Sequence, residues 1–189
     1  MKSDSQWIQE TLAGDSAAFG ELIRKYENRL YQTMLQITGD SSNALDVVQE
    51  AFTRAYLKLS SFRAESSFYT WLYRIAVRVA LDMRRRNPER LEPMGSDEEW
   101  ELVAPASDPQ TPLLQKERDE IVQRAITRLP TEQRVVLVMR EMEGLCYETI
   151  AEMLDLPVGT VRSRLHRARL QLRELLIPIL EFDDEHDVK

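Results

Sequence analysis

Cysteine occurs once, histidine twice and glycine six times in these 189 residues. A single thiol, Cys146, can close no internal disulfide and build no cysteine metal cluster, which suits a reducing, cytosolic compartment. Lying between Leu145 and Tyr147, Cys146 is expected to be a small buried apolar residue. No stretch alternates apolar and polar residues, so a sheet has little to build on and an all-α chain is expected. No apolar run is long enough to cross a bilayer, and the opening MKSDSQWIQE is not read as a signal peptide. A glycine-rich phosphate loop and a hydrolase nucleophile motif are both missing. The two histidines sit apart, His166 in a basic segment and His186 in an acidic tail. The chain is therefore not read as an enzyme, and no cofactor, metal or small-molecule substrate is expected. Its net charge of −7 also excludes a generally basic nucleic-acid coat, so any DNA contact must come from local positive patches.

The most informative stretch is Tyr147–Leu172, which reads as two helices and a tight turn. Ile150, Ala151 and Leu154 give the first helix an apolar edge, and Asp155–Pro157 supply the turn. Gly159 and Thr160 are expected to open the second helix, with Thr160 as a cap. Val161, Leu165, Ala168 and Leu172 share one face of it. Ser163, His166 and Arg167 point away from that face, and Arg162, Arg164 and Arg169 flank it. No acidic residue falls between Asp155 and Glu174. An apolar back, a polar front and arginine flanks suit the DNA major groove, where arginine bonds guanine edges or phosphates. A solvated basic helix in a bundle is the plainer alternative.

Upstream, periodicity predicts a short helix over 4–13 with Trp7, Ile8 and Leu12 on one side. A second helix, capped by Asp15 or Ser16, runs to Thr38 with Phe19, Leu22, Ile23, Tyr26, Leu30, Met34 and Ile37 inward. A third, capped by Ser41 or Ser42, runs to Leu59 with Val48, Phe52, Ala55 and Leu59 facing a core. Its Asp46, Gln49, Glu50 and Thr53 face elsewhere: an ordinary wet face, which periodicity alone favours, or a docking patch for a partner protein. Residues 60–67 read as a loop, and Ser66 or Ser67 caps a helix to Arg86 with Phe68, Trp71, Leu72, Ile75 and Val79 inward. Five aromatics fall from Phe62 to Tyr73, interleaved with Arg63, Arg74 and, further on, Arg78. Rings beside arginines provide stacking and phosphate neutralisation for single-stranded DNA. Phe68 and Trp71 are assigned to the core by their spacing, whereas Tyr69 and Tyr73 lie off the stripe.

Residues 88–112 hold five of the eight prolines, and seven acidic residues there face one basic residue, Arg90. This reads as an acidic linker with little fixed structure, a poor DNA ligand and a suitable guest for a basic protein channel. A second helical domain starts at Thr111-Pro112. Its first helix, to Arg128, carries Leu114, Ile121, Val122, Ala125 and Ile126. The next, capped by Thr131 and ended by Gly144, carries Val135, Val136, Val138, Met139 and Met142. The expected organisation is two small helical domains, 1–87 and 113–180, joined by a linker at 88–112 and followed by a frayed acidic tail at 181–189.

Two readings fit so far: a stand-alone helix-turn-helix repressor or activator, and a protein–protein adaptor with no DNA role. The motifs Asp46–Phe52 (DVVQEAF), Phe62–Ile75 (FRAESSFYTWLYRI) and Pro157–Arg164 (PVGTVRSR), with Leu129-Pro130 and Glu143-Gly144-Leu145 between them, appear in order. With them the chain resembles the extracytoplasmic-function sigma factors of bacteria, of the sigma-E-like branch. The resemblance implies a subunit that docks on the β′ clamp helices of core RNA polymerase through Asp46, Gln49, Glu50 and Thr53, and also meets the β flap. It implies −10 recognition by Phe62, Arg63, Ser66, Phe68, Tyr69, Tyr73, Arg74 and Arg78, with the loop Phe62–Phe68 capturing a flipped base. It implies −35 recognition by Arg162, Ser163, His166, Arg167 and Arg169. Further partners implied are promoter DNA and an anti-sigma factor, often membrane-anchored, that holds the cytoplasmic chain at the inner membrane face. Members of this family usually carry Gly where Asp155 stands here.

Overall fold

The computed structural model describes residues 2–86 and 121–186, with side chains to Ile177. The linker at 88–112 and the start of the second domain at Thr111-Pro112, with Leu114, lie outside the described residues. Every regular element among the described residues is helical. The chain divides into two compact units, 1–91 and 92–189.

The first unit packs four helices. α1 (Asp4–Leu12) starts with a reciprocal cap. In it Ser3 Oγ accepts from the Gln6 amide at 3.3 Å, and Gln6 Oε1 accepts from the Ser3 amide at 2.8 Å. Trp7 and Ile8 are buried as expected, but Leu12 is exposed. Thr11 takes the inward place instead, because its hydroxyl is satisfied locally by the Trp7 carbonyl at 2.7 Å. α2 (Ser16–Thr38) is capped by Asp15, and Gly39 ends it at φ +73°, a left-handed position that glycine adopts without strain. Within its stripe Ile23 and Tyr26 are only half-buried.

α3 (Ser41–Leu57) is capped by Asp40, not by Ser41 or Ser42. Asp40 holds extended backbone and its carboxylate accepts from the Asn43 amide at 2.6 Å, so the helix begins one residue earlier than the serines suggest. It stops at Leu57, and a 3₁₀ turn at Leu59–Ser61 keeps Leu59 buried. α4 (Phe68–Arg86) is capped by Ser67, whose Oγ accepts from the Thr70 amide at 3.1 Å. α2 packs on α1, α3 and α4, and α3 packs on α4.

The second unit contains helical residues 121–127, α5 (Thr131–Leu137) and a π turn over Val138–Met142. It continues with α6 (Tyr147–Leu154) and α7 (Val158–His186), and α7 packs on both α5 and α6. Pro130, not Thr131, is the cap of α5: the Gln133 and Arg134 amides both reach its carbonyl at 2.9 Å. Thr131 is buried, and its hydroxyl accepts from Arg134 Nη2 at 3.4 Å. Arg134 is itself only 1% exposed and donates to the Thr127 carbonyl at 2.6 Å, tying α5 to the preceding helix. The π turn adds a residue to the helical register, so Met142 swings out to solvent while Val138 and Met139 stay inside. Val122 is likewise exposed, beside buried Ala125 and Ile126.

The helix-turn-helix forms with Asp155 in the left-handed region, φ +53° and ψ +52°. The Leu156 amide returns to the Ala151 carbonyl at 2.9 Å and closes α6. α7 begins at Val158, since the Thr160 amide already reaches the Pro157 carbonyl at 2.9 Å. Thr160 therefore lies inside the first turn and is not the cap. Aspartate tolerates a left-handed position better than most side chains, and a β-branched one does not. Asp155→Val is expected to destabilise the second unit by about 1–2 kcal/mol, whereas Asp155→Gly leaves it unchanged or stabler; thermal unfolding of the pair against the wild type checks this. α7 does not stop at residue 180: the helix runs through position 178 to His186, so the expected separate tail is largely helical. Strong helix formers, Leu175, Leu176, Leu180 and Glu181, flank Pro178 in the sequence.

Candidate nucleic-acid interfaces and a charged groove

α7 presents the face that its spacing predicts. Val161, Leu165 and Ala168 are buried, and Leu172 is half-buried. Arg162, Ser163, His166, Arg167 and Arg169 are exposed. Small Ala151 on α6 is also buried, where it lets α7 cross closely. The front holds itself in place: Ser163 Oγ donates to the Thr160 carbonyl at 3.0 Å, and Arg167 Nε donates to the Ser163 carbonyl at 3.3 Å. The guanidinium of Arg162 sits 5.8 Å from the centroid of the Tyr147 ring.

Two of the flanking arginines differ from the front, because carboxylates from the α5 side hold them. Arg164 pairs with Glu132 at 2.7 Å. Arg169 Nε donates to Glu141 of the π turn at 3.1 Å, and this bond raises the Arg169 pKa above its ordinary value. Arg169, one of the five residues expected to meet DNA here, is thus already engaged by an internal anion. The sequence hides this, since Glu141 is 28 positions away.

In the first unit the structure corrects the expectation for α4. Tyr69 and Tyr73 are not off the core stripe: they are 6% and 1% exposed. Trp71 and Ile75, expected inside, are half-buried. The reason is that α4 packs on α2 and α3 together, which widens its buried arc to include Ala76, Val77 and Ala80. The Tyr69 and Tyr73 rings stack with centroids 6.2 Å apart. Phe68, buried as expected, touches Tyr26 at 5.8 Å, Phe62 at 6.0 Å and Trp71 at 5.8 Å between centroids. Phe62 and Ser66 are half-buried, Arg63 is exposed, and Ala64 takes φ +57° in the same loop. Arg74 is half-buried and Arg78 exposed.

Asp46, Gln49, Glu50 and Thr53 are all exposed, and all four line one groove of about 420 Å³. Its other wall was not legible in the sequence: Val79, Asp82, Met83 and Arg86 of α4, with Arg54 from α3. Arg54 Nε donates to Glu50 at 2.7 Å, and its Nη1 lies 4.0 Å from Asp82, bridging the two walls. A second correction concerns Cys146, which is exposed. Its Sγ lies 3.0 Å from the Thr149 hydroxyl, and hydrogen bonds from the Thr149 side chain and backbone lower the thiol pKa. Among the described residues no group of His, Cys, Asp and Glu is placed to hold a metal, and no helix is long and apolar enough to cross a membrane.

Residues 22–89 match the family model of sigma-70 region 2, and residues 119–172 match that of sigma-70 region 4. These two matches define the class: a transcription-initiation subunit with one unit for each region. The RNA polymerase sigma-H factor of Pseudomonas aeruginosa is 38% identical over 186 residues, covering 95% of this chain and 96% of its own. The ECF RNA polymerase sigma-E factor of Haemophilus influenzae is 38% identical, covering 94% of this chain and 97% of its own. Among solved structures, CnrH in complex with the cytosolic domain of CnrY is similar at TM-score 0.60 and 26% identity, covering 94% of this chain and 99% of that one. So is the sigma factor RpoE of Bartonella quintana in complex with the anti-sigma factor NepR, at TM-score 0.63 and 26% identity, covering 84% of this chain and 96% of that one. The chain belongs to the extracytoplasmic-function sigma factors of the sigma-70 family. As such it binds core RNA polymerase and directs it to promoters through their −10 and −35 elements.

Proposed function

We propose that the α3–α4 groove is the polymerase-docking site and that the loop before α4 and the front of α7 are the two promoter readers. The observation that carries the first part is that Asp46, Gln49, Glu50 and Thr53, spread over about two turns of α3, converge on a single groove. Three carboxylates, Asp46, Glu50 and Asp82, line it beside two arginines, Arg54 and Arg86, and the net negative lining favours a cationic partner surface. In the −10 reader, Phe62, Arg63 and Ser66 take the flipped base, and Arg74 and Arg78 neutralise the strand. Phe68, Tyr69 and Tyr73 support these residues from beneath, as their burial favours. In the −35 reader, Arg162, Ser163, His166 and Arg167 face the groove of the duplex, and Arg169 joins them once it leaves Glu141. Functional boundaries at 1–87, 88–112 and 113–180 follow from this division.

An anti-sigma factor covers the polymerase-binding surface of this chain in the cytoplasm and, if membrane-anchored, holds it at the inner membrane face. The complex of the Bartonella RpoE with the anti-sigma factor NepR supports that partner class.

Run-off transcription tests the whole. Core polymerase supplied with this chain initiates at a cognate promoter, and core alone does not; no chain-dependent transcript on any genomic promoter fragment would remove the reading. For the −35 reader, Arg167→Ala weakens duplex binding by about 1–3 kcal/mol, the range of a bidentate base contact. An unchanged footprint over the −35 element excludes Arg167 from it.

A further inference from the structure

Arg54 spans the two walls of the α3–α4 groove. Its Nε donates to Glu50 Oε1 at 2.7 Å on its own helix, and its Nη1 lies 4.0 Å from Asp82 Oδ2 on α4. We infer that Arg54 is a positioning residue for polymerase docking: it fixes the Glu50 carboxylate in the groove before the cationic group of the partner arrives. The inference rests on the reading of this groove as the docking site and gives a cation within it a role.

Three observations support it. First, the Arg54 guanidinium is held from two helices. Its pair with Glu50 has the i,i+4 order, glutamate first, that a helix favours. Asp82 adds a hold from α4, and is itself steadied by Arg85, 3.7 Å from its Oδ1. Second, Glu50 is exposed and Arg54 half-buried, so of the two the carboxylate is the more accessible to a partner. Third, Arg54 takes only Oε1, and among the described residues nothing bonds Oε2. A carboxylate accepts at both oxygens, so Glu50 keeps one for an incoming cation while the other anchors it. An unheld glutamate gives up rotamer freedom when a partner docks, and one already held gives up less.

The alternative, that Arg54 only masks charge, predicts the opposite sign. Removing a masking cation leaves Arg86 alone beside Asp46, Glu50 and Asp82, and a cationic partner then binds more tightly. The test titrates core polymerase with the labelled full chain as wild type, Arg54→Ala, Glu50→Ala and the double variant. Arg54→Ala is expected to weaken assembly about three- to tenfold, the cost of ordering one long side chain at an interface. Its thermal unfolding stays close to wild type, since the substitution lies at the surface. In the Glu50→Ala background the further loss of Arg54 is expected to cost nothing, because its effect passes through Glu50. Unchanged or tighter assembly by Arg54→Ala overturns the inference. So does an equal loss in both backgrounds, which marks a residue that acts independently of Glu50. If Glu50→Ala assembles at wild-type affinity, the docking reading of the groove fails and the inference with it; if Glu50→Ala weakens assembly and Arg54→Ala does not, Arg54 alone is overturned.

Discussion

Asp46→Arg combined with Glu50→Arg abolishes assembly with core polymerase, weakening it at least about 100-fold, while leaving the helical content of the chain intact. Both side chains are exposed, and surface substitutions of that kind change stability by about 0.5 kcal/mol or less. Arg54 loses Glu50 but keeps Asp82 at 4.0 Å, so the bridge between the walls survives in part. What changes is the sign of the groove. With Arg54 and Arg86 already present, two further arginines leave Asp82 as the one lining carboxylate. Bringing like charges together in an interface costs several kcal/mol, and about 1.4 kcal/mol is a factor of ten. Titration of labelled core polymerase with the double variant reads this directly. Assembly at wild-type affinity would move the docking site elsewhere. Duplex −35 binding by α7 is the control, and it stays as in the wild type.

Leu165→Ala has the largest expected effect on stability. Leu165 is buried at the centre of the α7 back, between Val161 and Ala168, where α7 meets α5 and α6. Truncating a buried leucine to alanine costs about 2–5 kcal/mol, through lost transfer energy and the cavity left behind. At roughly 0.05–0.15 kcal/mol per residue, a unit of this size holds only a comparable reserve. The second unit is therefore expected to melt at or below about 37 °C, with loss of −35 duplex binding, and the first unit to keep its own transition. Far-UV circular dichroism on heating would reveal two steps, only one of them moved. One unmoved cooperative transition would contradict this. Leu165→Met, similar in volume, costs less than about 1.5 kcal/mol and keeps DNA binding.

Much of the fold was legible because its signals are local. The spacing of Val161, Leu165 and Ala168 placed the α7 back, and Gly39 and Gly144 marked two helix ends. What escaped depends on neighbours that one strip of sequence cannot reveal. Tyr69 and Tyr73 follow Phe68 and Leu72 by one residue, and a helix packed on one partner would leave them wet. Packing on two buries them. Met142 follows the expected period, but the π turn breaks the register ahead of it. Cys146 looked apolar by its neighbours, yet it lies at the start of α6, where side chains face water. The groove needed two helices to exist, so α3 disclosed one wall and α4 withheld the other. DVVQEAF was informative as a motif, whereas its periodicity pointed only to solvent.

Glu132 and Glu141 change how α7 meets a polyanion. Five arginines fall between Arg162 and Arg173, and their number alone suggests a strongly salt-sensitive DNA ligand. Arg164 and Arg169 already hold carboxylates. When either moves to a phosphate it trades one anion for another, so part of the electrostatic gain is cancelled by the charge it abandons. On the proposed −35 reading of α7, its affinity for arbitrary DNA is lowered while the contacts of its front are unchanged. On that reading the two internal counter-ions would act as a filter, raising the share of binding that depends on sequence without touching DNA.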